Sequence, residues 1–507
     1  MLLAFSAGLT LGATAQKNAK GVEIQNADTW EFDGRRVPGA QILKGNVRFR
    51  HASATMSCDS AYLYEDQRVD AFGNVTINEG DSLFVHGDRL RYDARERMAR
   101  VEGNVRLRNA DMELTTPSLD YDLGARRGMY NEGGRIESHT EQNVLTSRTG
   151  TYLADERTFI FGRNVRLDHP HRTITGDTMH YLTPSGVALF FGPTRIVQDS
   201  TVITTLRGLY DTREERARFT RRTTILSRGR TLEGDSIHYE RRSGIGLAWG
   251  HVTVSDTSGE MVARGDKGSY DERKDRSMIT GHAELVLLMD GDSLFLHSDT
   301  LFARPDSSGQ KRLIQAHRHV RFYKSDLQGA CDTLIHSEAD STIHMFNKPV
   351  LWNENDQITG DRIRIAMRNG QAHRLYVDGS AFLMAQVDSG RFDQVTGTHM
   401  TGSFADNTLR RIDAEGNART VYFAQEEKDG VKEVIGVNRA DCSRIGVTLE
   451  DGQVSTVTFL ERPTAVLYPI DKAPPEELRM KGALWRGDER PTERADIFRR
   501  PDETTAR

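Results

Sequence analysis

Tyr62, Tyr92, Tyr121, Tyr152, Tyr181, Tyr210, Tyr239 and Tyr270 follow one another at intervals of 30, 29, 31, 29, 29, 29 and 31 residues. A fixed period of this size marks a stack of like supersecondary units, none of which buries its apolar face without its neighbours. The constraint outweighs chain length, since 507 residues would otherwise divide into roughly three domains. It also accounts for the composition: thin rungs need few core residues, so 37% hydrophobic and 28% charged content suits a stack with a large surface.

Two turn signals keep the same beat. Gly45-Asn46-Val47, Gly73-Asn74-Val75, Gly103-Asn104-Val105, Asn164-Val165, Gly250-His251-Val252 and Gly281-His282-Ala283 each open a strand. Gly and Asn accept turn dihedrals, and apolar-polar alternation follows at once. The second signal is a small residue followed by Asp before an aromatic or aliphatic strand, as in Cys58-Asp59, Gly87-Asp88, Gly176-Asp177, Gly234-Asp235, Gly265-Asp266, Ser298-Asp299, Cys331-Asp332 and Gly360-Asp361. Asp there bonds nearby backbone and fixes the bend. Pro193, Pro349 and Pro463 align with the Asn46 column, where a strand's first residue tolerates a missing N–H. Longer spacings at 305–310 and 425–433 predict inserted loops. Helical periodicity is absent from 45 to 468, so the pattern predicts an all-β region of about 13 repeats of about 30 residues.

Alternation places Val47, Phe49, Val75, Ile77, Val105, Leu107, Val165, Leu167, Val252, Val254, Val320 and Phe322 on one side of successive strands. Stacking turns them into continuous apolar rows, which either line a groove or pack against each other as a closed core. The tyrosines read as a stacking ladder that serves architecture. The recurring Asp residues are turn formers, whereas a catalytic carboxylate pair would depart from the repeat, so no enzyme is expected. Asp290-Gly291-Asp292 and His169-Pro170-His171 are too short for a metal-ligand pattern, and no cofactor fingerprint appears. Cys58, Cys331 and Cys442 lack CxxC spacing and read as packing residues. A net charge of -5 with interspersed signs offers no stripe for nucleic acid.

The ends differ from the middle. Residues 1–15 form an apolar run closing on Ala13-Thr14-Ala15, which predicts a secretory signal without its basic n-region. Residues 16–44 form an N-terminal edge segment before the repeats of 45–468. Residues 469–507 carry many charges and five of the 13 prolines, a tail unable to bury a core of its own. Leu484 and Trp485 within it are candidate anchors on the body or on a partner.

The Gly-Asn-Val openings, the Asp bends leading to Tyr-Asp and the return strands resemble the OstA/LptA-like lipopolysaccharide-transport family, most clearly in "LKGNVRFRHASATMSCDSAYLYEDQRVDAFGNV" and "VEGNVRLRNADMELTTPSLDYD". The resemblance implies an elongated folded-over β-jellyroll, or β-taco, whose apolar rows form a groove for the acyl chains of lipid A. It implies a periplasmic protein, in contact with the outer membrane, that carries lipopolysaccharide and joins other transport components. The alternatives are a structural or adhesive surface solenoid and, further off, a β-helical polysaccharide-acting enzyme. A stack also ends in unpaired strands. Val454, Thr456, Val457 and Phe459 lie in a stretch free of charge and proline, a candidate edge for strand addition by a transport component or a second copy; Val22-Glu23-Ile24 is the shorter counterpart.

Overall fold

The computed structural model describes residues 21–500 except 81–82, 140–141, 290–291, 354, 370, 406–407, 429–430 and 451–452. The signal reading at 1–15 and the first two residues of Asp290-Gly291-Asp292 lie outside the described residues. The chain is all-β, with 36 strands and otherwise only short 3-10 turns among the described residues. It divides into two compact units, the first ending at Arg213 and the second beginning at Glu214.

Both units use one strand plan. Ala40–His51, for example, pairs antiparallel with Ala54–Tyr64, but the register shifts between Lys44 and Val47, so the strand has two limbs joined by a corner. The corner is the Gly-Asn pair. Gly73 and Asn74 have φ of +73° and +46°, the left-handed region that glycine and asparagine tolerate best. Asp59 of the preceding strand fills the place a Gly73 side chain would need and accepts a hydrogen bond from Asn74 Nδ2 at 2.9 Å. Asn104 bonds Asp88 in the same way at 2.8 Å. At several corners of the second unit histidine replaces asparagine: His251 Nδ1 lies 2.6 Å from Asp235, and His282 lies 2.9 Å from Asp266. The hydrogen bond with His251 holds the Asp235 carboxyl below the usual carboxylate range. The two signals that recur separately along the chain are thus two halves of one corner.

Three expectations change in detail. Pro193 follows Gly192 and does occupy the Asn46 column. Pro349 and Pro463 instead follow left-handed pairs, Asn347-Lys348 and Glu461-Arg462, and so begin the next limb. Residues 425–433 are not an inserted loop, because Gln425 to Lys428 pair with Val434 to Val431 in a lengthened hairpin. Residues 306–311 do form a turn. Cys58 and Cys331 are buried, and desolvation pushes both thiols up to about 12, as packing residues require.

The charged tail is docked on the second unit. Met480 packs with Val421, Phe423 and Val437, Trp485 lies 4.8 Å from the Phe392 ring, and Ile497 is fully buried. Its anchors are contacts with the body rather than a core of its own.

Candidate functional site

Register makes the interior rows explicit. In the first unit one row runs Phe49, Met56, Ile77, Val85, Leu107, Leu114, Ile136, Leu145, Leu167 and Ile174, each residue opposite the next across a strand pair. Opposed side chains in an antiparallel pair share a face, so the row is continuous and interior. Val47, Phe49, Val75, Ile77, Val105, Leu107, Val165 and Leu167 are all buried there.

The tyrosines form a second row on the other limb: Tyr92, Ala99, Tyr121, Gly128, Tyr152, Phe159, Tyr181, Ala188 and Tyr210. Small residues between most rings leave room for them. Each ring reaches a polar side chain two residues beyond the apolar row of the opposing limb. Tyr92 Oη is 2.5 Å from His51 Nδ1, and Tyr121 donates to Glu79 at 2.6 Å. Asn109, Asn143 and Arg172 donate to Tyr152, Tyr181 and Tyr210 at 2.8, 3.4 and 3.3 Å. These partners lie on, or in the turns beside, strands that do not pair with the tyrosine's own strand, so the bonds latch one limb to the other. Burial together with the bond to Glu79 pushes the Tyr121 phenol far up. Tyr62 does not belong to the row. It faces outward, edge-on to Phe72 at 5.3 Å, and Leu63 takes its place.

The Tyr121 latch has a measurable weight. Tyr121→Phe removes the hydrogen-bond donor to the Glu79 carboxylate, which is 8% exposed and keeps only the longer ion pair with Arg126 at 3.6 Å, and is expected to cost about 1–3 kcal/mol in urea unfolding. Tyr62→Phe, outside the row, is expected to cost no more than about 0.5 kcal/mol. Equal losses would show that the ladder does not bolt the limbs.

In the second unit both halves of the latch change. In this unit Ala217, Tyr239, Gly246 and Tyr270 are opposed in turn, and Tyr270 bonds Asp275 of its own hairpin turn at 3.2 Å. The row then becomes Ser277, Ala303, Ile314, His336, Ile343, Ile365 and Leu375. The facing row runs Val254, Ala263, Leu285, Leu296, Phe322 and Gly329. The positions two residues nearer its rim, where the first unit has His51 and Glu79, are Leu287, Leu294 and Lys324.

Here the interior opens into an apolar cavity of about 270 Å³. Its walls are Leu285, Leu287, Leu294, Leu296 and Phe322 on one limb and Ile314, Leu334, Ile343, Ile365 and Met367 on the other. Lys324, Asp326, Ser341 and Asn369, all from hairpin turns, form the rim. Lys324 Nζ is tied to Asp326 at 2.7 Å and to Asp292 at 3.4 Å, so the rim cation is already neutralised. His336 also lines the cavity; burial lowers its pKa, and its Nδ1 has no hydrogen-bond partner among the described residues. Of the sequence-predicted groove residues in this unit, Phe322 lines the cavity. Val252 and Val320 are buried without lining it, and Val254 is half-buried. The cavity leucines and isoleucines were not singled out from the sequence, although the end of the tyrosine period at Tyr270 marks where they begin.

Near the two termini each strand pairs with one described neighbour. Gln453–Leu460 and Thr464–Pro469 both pair with Val431–Glu450. Thr456 is exposed, while Val454, Val457 and Phe459 are half-buried against the core. At the other end Glu23–Asn26 and Thr29–Phe32 pair with Ala40–His51, leaving Trp30 and Phe32 60% and 69% exposed.

No group of His, Cys, Asp and Glu able to hold a metal occurs among the described residues. A two-limbed antiparallel fold closed on an apolar interior, with a cavity whose polar groups are confined to its rim and one histidine, is a binding architecture. Residues 19–177 and 163–235 match the OstA-like protein family, as the Gly-Asn-Val and Asp signals in this part of the chain implied. No curated protein matches the chain.

Proposed function

We propose that the chain is a periplasmic carrier of lipopolysaccharide toward the outer membrane, built as a folded-over β-jellyroll of about 13 repeats, with lipid A acyl chains seated in the cavity of the second unit. The OstA-like family is one of lipopolysaccharide-transport-related binding proteins of the envelope rather than of enzymes, which supports the class of cargo. The observation that carries the reading is the double substitution at the latch: tyrosines give way to Ile314, Ile343 and Ile365 where His and Glu give way to Leu287 and Leu294. In this reading the first unit is a zipped spacer and the second holds cargo.

The test is native purification followed by lipid extraction and mass spectrometry, with photoreactive side chains placed at Leu294 or Leu107. Lipid A crosslinked at Leu294 and not at Leu107 is the expected result. Lipid at neither position would favour a structural or adhesive solenoid, and lipid at both would give the first unit an open groove as well.

In the same reading, transport components or a second copy add strands to the edge carrying Val454, Thr456, Val457 and Phe459. Thr456→Pro and Thr458→Pro probe the two parities of that strand, because proline removes a donor. One of the two is expected to abolish partner crosslinking while the protein stays folded; retention in both would exclude this edge.

A further inference from the structure

The docked tail has an unusual mode of attachment. From Ile470 onward it forms no ladder with the sheet among the described residues and is held by side chains on the outer face of one limb. Gln394, 2% exposed, donates through Nε2 to Leu478 O at 3.0 Å and accepts at Oε1 from Met480 N at 2.8 Å. Gln357, 1% exposed, repeats the pattern six residues further along the tail, with Leu484 O at 2.8 Å and Arg486 N at 2.6 Å. Arg490 Nε then reaches Gln328 at 2.8 Å, and Arg494 grips both oxygens of Glu284 at 2.7 and 2.8 Å. Phe498 closes the series 4.8 Å from the His297 ring.

The anchors at Glu284, His297 and Gln328 sit behind the cavity, and those at Gln357 and Gln394 lie on strands further along the same unit. Side chains alternate between the faces of a strand, so Glu284 and His297 point outward beside the cavity residues Leu285 and Leu296. Gln328 is next to Gly329, which lies opposite Phe322. The tail runs from Gln394 to Glu284 across strands otherwise joined only edge to edge, and it is bonded at four points.

We infer that the C-terminal tail is a splint that fixes the curvature of the cavity's wall and so limits the width of acyl ligand the cavity admits. Bowing the wall outward to admit a second chain requires the glutamine and Glu284 contacts to part. The inference rests on the cavity being the lipid site, but its mechanical half is independent of any ligand.

The experiment uses the full chain with a protease site inserted at Gly482, where an added side chain would meet nothing within 4 Å, combined with Arg494→Ala. Nitroxides at Ser325→Cys and Ala339→Cys, exposed turns on the two rims, report their separation by pulsed electron resonance in a Cys442→Ser background. Cleavage is expected to lengthen and broaden that distance. It is also expected to raise affinity for a two-chain phospholipid probe at least tenfold while leaving that for single-chain cis-parinaric acid within twofold. An unchanged distance overturns the splint, whatever the probes do. A changed distance with neither probe bound before or after cleavage keeps the splint and removes the lipid reading.

Discussion

Phe322→Ala is expected to cost about 3–5 kcal/mol of stability in the second unit, the range for deleting a buried ring, while enlarging the cavity. The ring is 2% exposed and closes the wall between Leu296 and Gly329. Gly329 exists for that ring, since a methyl added there would collide with the Phe322 edge. Gly329→Ala is therefore expected to cost about 1–3 kcal/mol by overpacking and, by pushing the ring inward, to weaken binding of a fluorescent single-chain lipid probe. In the Phe322→Ala background the same substitution meets no ring, so the two effects are expected to be non-additive by 1 kcal/mol or more. Urea unfolding of the four proteins measures the coupling. Additive costs, or a Gly329→Ala protein that binds the probe as the parent does, would show that this contact does not shape the cavity.

The bends were legible in the sequence because Gly-Asn and small-residue-Asp pairs are local turn chemistry. Their union was not, because Asp59 meets Gly73 and Asn74 only after strand register brings residues 15 apart together. The tyrosine period named the ladder but counted Tyr62 within it. That residue is one position out of phase, and in a strand one position reverses the face. The cavity was harder still, since it needs two columns on opposing limbs to turn apolar together. Leu287 and Ile343 are 56 residues apart, and neither looks unusual in its own strand.

The same division of labour explains why charged residues are so common around an apolar interior. Corners, rims and several of the tail's anchors use Asp, Asn, His, Arg and Gln as connectors, while the inner rows are apolar and Val421, Phe423 and Val437 form a further apolar patch under Met480. In the first unit tyrosine bonds latch the limbs along that edge, whereas in the second leucine and isoleucine take the latch positions and Lys324, Asp326, Ser341 and Asn369 form a polar rim around an apolar cavity. The interior thus changes along one repeat by exchange of two side chains per rung.

Asp393 is the exception among these connectors. It is buried in the strand Phe392–Ala405, where Phe423 N donates to it at 2.8 Å, and desolvation outweighs that bond, raising its pKa from 3.8 to about 7. The carboxyl therefore stays neutral in the folded chain up to a pH at which the unfolded chain has long ionised. Its favourable contribution is complete below pH 3.8 and is lost as pH rises through about 7, beyond which the penalty is constant. The full span is about 4 kcal/mol, at 1.36 kcal/mol for each unit of difference. Asp393→Asn keeps an acceptor for Phe423 N and cannot ionise. It is expected to unfold at higher urea than the parent at pH 8 and to converge with it near pH 4. Because Tyr422 is the other titrating side chain beside this carboxyl, with its own pKa raised, it stays neutral throughout this window and leaves the difference to Asp393. A stability difference between the two proteins that does not change from pH 4 to pH 8 would mean that the carboxyl is ionised in the fold.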